Sequence, residues 1–271
     1  MTSVTSGTGV SVGDDIFCYT DQIVNVIFIG AKGASEWVLV DAGMPRGGEE
    51  IVKVAEERYG AGCRPSAILL THGHFDHVGG IVHLLETWQV PVYAHPDEFP
   101  FLTGAAPYPE PDPTVEGGLL AKISSIYPHE PIDISARLCP LPHDHTLPFL
   151  PGWQWVHVPG HAPGQVAFFR ERGRIVISAD AVITVRQDSF YKVLLQQKEV
   201  NGPPVYFTTD WPAAKASAIK IRQLEPRILI PGHGRIMDGD ELTQGLDTLI
   251  DGFDTIAVPE HGKYVTGHGK A

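Results

Sequence analysis

The stretch Thr71–Gly80 constrains this 271-residue chain most, because it holds four side chains able to bind a metal ion within six consecutive positions. They are His72, His74, Asp76 and His77. The apolar run 67–70 directly precedes the stretch and predicts a short buried strand, and residues 81–88 behind it have the apolar spacing of a helix packed on one face. The four side chains are therefore expected on a strand-to-helix loop, where α/β folds commonly carry functional sites.

The mixture of imidazole and carboxylate in this loop indicates a site for first-row divalent metals. Imidazole suits zinc, iron and similar ions, and carboxylate suits harder ones. Four ligands so close in sequence are crowded for one ion, because alternate side chains of a bent loop diverge. The residues alone therefore predict that His72 and His74 face one metal while Asp76 and His77 face a second.

Charge and cysteine usage narrow the classes of partner. The net charge of −12 argues against nucleic acid, because proteins that bind polyanions need a basic surface. No apolar run is long enough to span a bilayer, and the N-terminus lacks the basic start and apolar core of a secretory signal. The three cysteines are far apart and predict reduced thiols. We expect a cytoplasmic protein that acts on a small molecule, without a nucleic-acid or membrane partner; its oligomeric state is open, with a homodimer as one option.

The order of predicted elements indicates a single domain with two similar halves. In the first half, strands are predicted at 16–19, 23–29, 37–40, 67–70 and 90–94, and helices at 47–59, 81–88 and from residue 95. In the second half, strands are predicted at 153–158, 165–170, 174–178 and 227–230, and helices at 211–224 and 240–253. Two such halves, sheet against sheet with helices outside, form an α/β four-layer αββα sandwich.

Residues 104–151 differ from the rest of the chain in their many prolines, which exclude long helices. Their apolar content is too low for a separate core, so we predict an insertion that lies over the site as a lid, with one short helical piece at 117–127. The wall of a substrate pocket is expected from 96–151 and 186–207. Its aromatic candidates are Phe99, Phe101, Tyr108, Phe190 and Tyr191.

Further candidate ligands each follow a predicted strand. They are His161, Asp180 and His233. Asp41 also follows a strand, and two roles stay open for it: a turn or cap residue, or a group that holds the metal loop from behind. The run His143–His145 resembles a third metal site, but its Pro-rich setting favours a solvated loop.

These motifs together resemble the metallo-β-lactamase-fold hydrolase superfamily. The similarity lies in Thr-His-Gly-His-Phe-Asp-His at 71–77, Pro-Gly-His at 159–161, Ser-Ala-Asp at 178–180 and Pro-Gly-His-Gly at 231–234. The resemblance covers about residues 16–254 and implies two metal ions, with zinc expected first and iron or manganese as alternatives. It implies that His72, His74 and His161 bind one ion, that Asp76, His77 and His233 bind the other, and that Asp180 bridges them.

Departures from known members narrow the subgroup. True β-lactamases carry arginine at the position of His77 and cysteine at that of Asp180, or lack the bridging carboxylate, so an antibiotic-degrading role is not expected. Acyl-homoserine lactonases place a tyrosine three residues after the bridging aspartate, where this chain has Ile183. Glyoxalase II enzymes share the ligand set but usually add a helical C-terminal domain, which the short segment after His233 does not match. The last helix and the ending Pro-Glu-His-Gly-Lys-Tyr at 259–264 resemble a group of uncharacterised bacterial zinc hydrolases, of a glyoxalase II-like or lactonase-like kind.

The predicted activity is hydrolysis of a small ester, lactone or thioester. Two divalent ions lower the pKa of a shared water enough to supply hydroxide at neutral pH. Asp76 is the predicted catalytic residue, because it can orient this hydroxide or carry a proton to the leaving group. Two alternatives use the same centre: cleavage of a small phosphodiester, and non-hydrolytic redox chemistry with iron.

Overall fold

Two β-sheets face each other at the centre of the fold, and helices cover the outer face of each. The computed structural model describes residues 2–115, 132–185 and 198–265. The first sheet has the order β1-β2-β3-β4-β5-β6-β7, antiparallel up to β4 and parallel from β4 to β7. Its strands are β1 Gly9–Val12, β2 Ile16–Asp21, β3 Val24–Ile29, β4 Val38–Val40, β5 Ala67–Leu69, β6 Val92–Ala94 and β7 Leu138–Pro140.

The second sheet has the order β12-β11-β10-β9-β8, and only its β10–β11 pair is parallel. Its strands are β8 Trp153–His157, β9 Val166–Arg170, β10 Ile175–Ala179, β11 Ile228–Pro231 and β12 Met237–Asp238. The helices are α1 Gly48–Tyr59, α2 Phe75–Val78, α3 Ile81–Trp88, α4 Phe99–Leu102, α5 Trp211–Gln223, α6 Gly239–Asp251 and α7 Phe253–Ile256, with a 3₁₀ turn at Pro96–Glu98.

The alternation of side chains in the central strands builds the layers. In β3, Val26 and Phe28 pack into the core shared with α1 and α3, whereas Ile27 and Ile29 pack into the core between the sheets. All six residues of β3 are buried, because successive side chains of a strand point to opposite faces and both faces are covered here. A third core joins the second sheet to α5 and α6. The predicted four-layer αββα sandwich is therefore confirmed.

The predicted strands and long helices are present, and three strands were not predicted. Three of the four residues of β1 are exposed, β7 lies in Pro-rich sequence, and β12 has two residues, so none of them carries a clear apolar pattern. The helix predicted from residue 95 is shorter than expected, with a 3₁₀ turn followed by the single turn α4. Pro100 limits it, because proline lacks the N–H that would bond the carbonyl of residue 96 in a continuous helix.

The predicted lid segment 104–151 contributes β7 to the first sheet, so the lid prediction applies only to the rest of it. The short helix predicted at 117–127 and the pocket residues Phe190 and Tyr191 lie outside the described residues. Phe99 was expected in the pocket wall, but it packs against the core of the first sheet. In the described part of the chain, no helix has the length and apolar composition needed to cross a membrane.

Candidate metal centre

The structure brings together the seven side chains that the sequence singled out as metal ligands. His72 and His74 follow β5, Asp76 and His77 lie on α2, His161 follows β8, Asp180 follows β10, and His233 follows β11. They form three overlapping groups in which potential ligand atoms lie within 4.8 Å of one another. The groups are His72–His74–His161, His72–His77–Asp180 and Asp76–His77–His233.

Asp180 lies between these groups. Its Oδ1 is 3.5 Å from His77 Nε2, and its Oδ2 is 3.4 Å from His161 Nε2 and 3.3 Å from His233 Nε2. Asp76 Oδ2 is 3.3 Å from His233 Nε2. One carboxylate thus faces histidines of both predicted metal sites, which is the arrangement that a bridging ligand requires.

The Nδ1 atoms of His72 and His77 are held by hydrogen bonds that end at the Asp41 carboxylate. Thr71 Oγ1 donates to Asp41 Oδ2 at 2.8 Å, so its lone pair accepts from His72 Nδ1 at 3.1 Å. His77 Nδ1 donates to the same Asp41 oxygen at 2.8 Å. Both histidines therefore present Nε2 to the centre. Of the two roles left open for Asp41, the structure supports the one behind the metal loop.

The histidines of the second sheet are oriented in the same way. Thr208 Oγ1 donates to the Pro204 carbonyl at 2.8 Å and therefore accepts from His161 Nδ1 at 3.2 Å. His233 Nδ1 donates to the Ile23 carbonyl at 2.9 Å. A hydrogen bond on one imidazole nitrogen fixes the tautomer and leaves the other nitrogen free as a ligand.

Several atoms at the centre have no hydrogen-bond partner although they are buried. Within the described residues these include His72 Nε2, His77 Nε2, Asp180 Oδ1 and His233 Nε2. Buried polar atoms are normally satisfied, so a cluster of unsatisfied ligand atoms calls for an explanation. Imidazole nitrogens and carboxylate oxygens in this arrangement suit divalent metals, and the residues present therefore fit a metal centre.

Electrostatics divide the histidines of the metal-free protein into two types. Burial, followed by the neighbouring histidines, lowers the pKa of His72 and His74 well below the ordinary value. Burial lowers the pKa of His161 to about 4, against the opposing effect of Asp180 and Asp76. These three imidazoles are neutral near pH 7, which is the form that binds metal.

His77 and His233 behave in the opposite way. Burial would lower the pKa of both, but Asp180 with Asp41 raises the pKa of His77 well above its ordinary value, and Asp180 with Asp76 raises the pKa of His233 to about 10. Burial opposes ionisation of Asp76 and Asp180, yet the same histidines hold the pKa of both carboxyls below the ordinary range. Protons on His77 and His233 thus occupy positions that metal cations would take, and metal binding would release them.

Close backbone packing holds the ligand loops in place. A Cβ on Gly79 would lie 2.1 Å from Pro45 N, so only glycine allows the end of α2 to approach this neighbouring loop. Asn25 joins the first sheet to the loop that carries His233: its Nδ2 donates to the carbonyls of Pro231 and Gly234, both at 2.9 Å. The centre therefore depends on contacts between the two sheets.

One side of the centre is apolar. The Phe207 ring lies 5.0 Å from the His74 ring and 6.0 Å from the Phe75 ring, centroid to centroid. Phe207 belongs to a small buried cluster with Tyr206 and Val185. Tyr206 is itself buried in this cluster.

Other histidines do not extend the centre. His143 and His145 are exposed, and the Asp144 carboxylate between them accepts bonds from Thr146, as a solvated loop would. His95, Asp97 and His157 form a further group of nearby potential ligand atoms. The rings of His95 and His157 are stacked face to face, however, with centroids 4.3 Å apart. Their nitrogen lone pairs lie in the ring planes and therefore run parallel instead of converging on one ion.

Sequence reasoning did not identify three residues that support the ligand loops. Thr71 orients His72, and Thr208 orients His161. The buried Glu98 accepts the backbone N–H of Gly73, which lies between His72 and His74. Thr71 directly precedes His72, so the sequence alone could have identified it as a residue that supports the ligand. Thr208 lies 47 residues from His161, and no local pattern connects the two.

Comparison with known proteins identifies the family of this chain. The family model described as "Metallo-beta-lactamase superfamily" matches residues 19–233. A Bacillus subtilis (strain 168) protein named "Probable metallo-hydrolase YflN" is 44% identical over 257 residues, which cover 94% of this chain and 97% of that protein.

Two solved structures are also similar. TTHA1623 in a di-iron-bound form is 29% identical with a TM-score of 0.53, covering 79% of this chain and 89% of that one. The B3 metallo-β-lactamase BLEG-1 is 23% identical with a TM-score of 0.56, covering 90% of this chain and 95% of that one, a likeness of fold. The family match over most of the chain and the close relative together show that this protein belongs to the metallo-β-lactamase superfamily.

Proposed function

We propose that this protein is a dinuclear metal-dependent hydrolase that cleaves a small ester, lactone or thioester. One observation carries the proposal: seven buried His and Asp side chains converge, and four of their atoms lack partners in the described part of the chain. His72, His74 and His161 would hold one ion, Asp76, His77 and His233 the other, and Asp180 would bridge them. Zinc is the ion proposed first, and the di-iron-bound relative keeps iron as the alternative.

The bound ions would supply two things: a water of lowered pKa and polarisation of the scissile carbonyl. The chain's own residues supply orientation and proton transfer. Asp76 is the more exposed of the two central carboxylates, with 11% of its side chain accessible against 2% for Asp180. This position suits a group that accepts a proton from the attacking water and delivers it to the leaving group.

The surroundings favour a carbonyl substrate. The Phe207 ring places apolar surface beside His74, and Phe75 and Tyr206 pack against Phe207, a setting that suits an ester or acyl group. This apolar surface is a poorer match for a phosphodiester, because that group is an anion and proteins usually bind such anions with arginine or lysine. A small-molecule substrate and a cytoplasmic location are parts of the same proposal.

The test is a hydrolysis panel on metal-loaded protein, with lactones, aryl esters, glutathione thioesters, phosphodiesters and a β-lactam. His72→Ala removes a proposed ligand, and His83→Ala is the matched control because His83 is exposed on α3. We expect turnover of a carboxylic ester, lactone or thioester that His72→Ala abolishes and His83→Ala retains. Asp76→Asn should lower kcat by about 100-fold or more.

Two outcomes of the panel would replace the proposal. Turnover of phosphodiesters alone would replace the carbonyl proposal with phosphodiester cleavage. Silence on all substrates, together with bound iron and a visible colour, would replace it with redox chemistry. Metal analysis of the purified protein separates zinc from iron before any substrate is tried.

A further inference from the structure

Glu98 is a fully buried carboxylate that lies against two ligand loops. It ends the 3₁₀ turn before α4, and its side chain is 0% exposed. Oε2 accepts the Gly73 N–H at 2.9 Å, and Oε1 accepts the Gly164 N–H at 2.7 Å. Burying a carboxylate costs several kcal/mol unless it is well bonded, so this placement indicates a specific task.

Both backbone groups that Glu98 binds belong to the proposed metal centre. Gly73 lies between His72 and His74, and Gly164 follows His161 by three positions. The two loops meet where His74 Nδ1 lies 2.9 Å from His161 Nε2. One carboxylate therefore joins the segments that carry all three histidines of the first group.

Tyr108 completes the contact. Its hydroxyl donates to Glu98 Oε2 and also accepts the Gly73 N–H at 2.8 Å. Its ring contacts the His74 ring, at 4.4 Å between centroids, and the Phe101 ring, at 3.9 Å and nearly parallel. The hydroxyl thus holds the backbone of the loop while the ring restricts the orientation of the His74 imidazole.

The two glycines are explained by the same contact. A Cβ on Gly73 would lie 2.7 Å from the Tyr108 hydroxyl oxygen, and a Cβ on Gly164 would lie 2.8 Å from Glu98 Cγ. Any larger residue would separate the loops from the pair. Glycine between the histidines of the first motif, and again after His161, is therefore required by Glu98 and Tyr108.

We propose that Glu98 and Tyr108 are positioning residues that set the geometry of the His72–His74–His161 group, and so the affinity and coordination of the ion it would hold. We call the two side chains the brace. The inference rests on the proposed metal centre but does not depend on which bond the enzyme cleaves. Its test therefore measures metal binding rather than turnover.

The experiment uses two variants and two matched controls. Glu98→Gln keeps the shape but places an NH₂ group where one oxygen accepts a backbone N–H, and Tyr108→Phe removes the hydroxyl while keeping the ring. Glu56→Gln and Tyr59→Phe are the controls, because on the outer helix α1 Glu56 accepts a glycine N–H at 2.9 Å and Tyr59 donates to a backbone carbonyl at 3.2 Å.

Each protein is titrated with Co²⁺ and followed by visible absorption, and zinc affinity is measured by competition with a chromophoric chelator. We expect both brace variants to bind one of the two ions about 10–100-fold more weakly, the usual effect of removing a group that orients metal ligands. The Co²⁺ bands of that ion should shift in position or intensity. The second ion and both controls should behave as in the wild type.

A purely structural role would lower the melting temperature without changing the Co²⁺ spectrum. Wild-type zinc affinities and spectra in a folded Tyr108→Phe protein would overturn the brace, even if Glu98→Gln failed to fold. A wild-type protein that binds no Co²⁺ or zinc would overturn the metal centre and the brace with it. Wild-type protein that binds two ions but hydrolyses nothing would overturn the proposed activity alone and leave the brace supported by its spectra.

Discussion

Replacement of Asp41 by asparagine tests how the second proposed metal site is organised. Asp41 is 1% exposed, and its carboxylate accepts three hydrogen bonds at 2.8 Å: from the Thr71 N–H, the Thr71 hydroxyl and His77 Nδ1. Asparagine has one acceptor oxygen and one NH₂ group. In either orientation the NH₂ faces a donor, the Thr71 N–H or the His77 Nδ1–H.

The size of the effect follows from these bonds. Each hydrogen bond to a charged group contributes about 1.5–3 kcal/mol, and at least one is lost. When the amide faces His77, the imidazole is driven to carry its proton on Nε2, the atom that would bind metal. We therefore expect Asp41→Asn to weaken binding of one ion by about 10–100-fold, the range found when such supporting partners are removed.

The assay is competition for zinc between the protein and a chromophoric chelator. Asp21→Asn is the control, because Asp21 is also a buried carboxylate but accepts the Met44 N–H at 2.8 Å. We expect this control to lose thermal stability while keeping both zinc affinities. An Asp41→Asn protein that binds both ions as tightly as the wild type would refute the assigned role of Asp41.

Three further predictions concern stability and substrate binding. The free energy of unfolding of the metal-free protein, measured in urea titrations, should be highest near pH 6.5. The pKa of His161 is lowered to about 4 in the folded protein, so up to about 3 kcal/mol of stability is lost as the pH falls from 6.5 towards 4. The pKa of His233 is raised to about 10, so stability is also lost as the pH rises from 6.5 towards 10. A flat profile across both windows would contradict this. Gly79→Ala should destabilise the fold by about 1–3 kcal/mol through contact with backbone atoms, and an unchanged urea midpoint would be the contrary result. Phe207→Ala should raise KM for the preferred substrate more than it lowers kcat, as a loss of apolar binding surface would; an unchanged KM would place the substrate elsewhere.

The predictable part of the fold was the part with periodic apolar sequence. β3 and β10 are buried on both faces, and α3 carries an apolar stripe, so local pattern identified all three. The edge strand β1 is mostly exposed, and β7 pairs with residues of β6 that lie 46 positions earlier, across a segment with many prolines. Pairing of such strands is decided by the neighbouring strand rather than by their own side chains.

The candidate site also has a part that local sequence predicted and a part that it did not. Four potential ligands stand in one short motif, and His161, Asp180 and His233 each stand at the end of a recognisable strand, so local sequence was enough to name them. Their roles as ligands stay a proposal until metal binding is measured. Sequence left two roles open for Asp41, and only the bonds to Thr71 and His77 distinguish them.

By itself, then, the sequence determined the chemistry of the centre and the strands that carry it, because ligand type and strand periodicity are local properties. The tertiary structure alone decided which groups stand behind the ligands. Thr208 reaches His161, Asn25 reaches the His233 loop, and Glu98 joins Gly73 to Gly164 across separations of 25 to 209 residues. Such partners are brought together by tertiary packing rather than by local sequence, and they hold the His161 imidazole and the loops that carry His74 and His233.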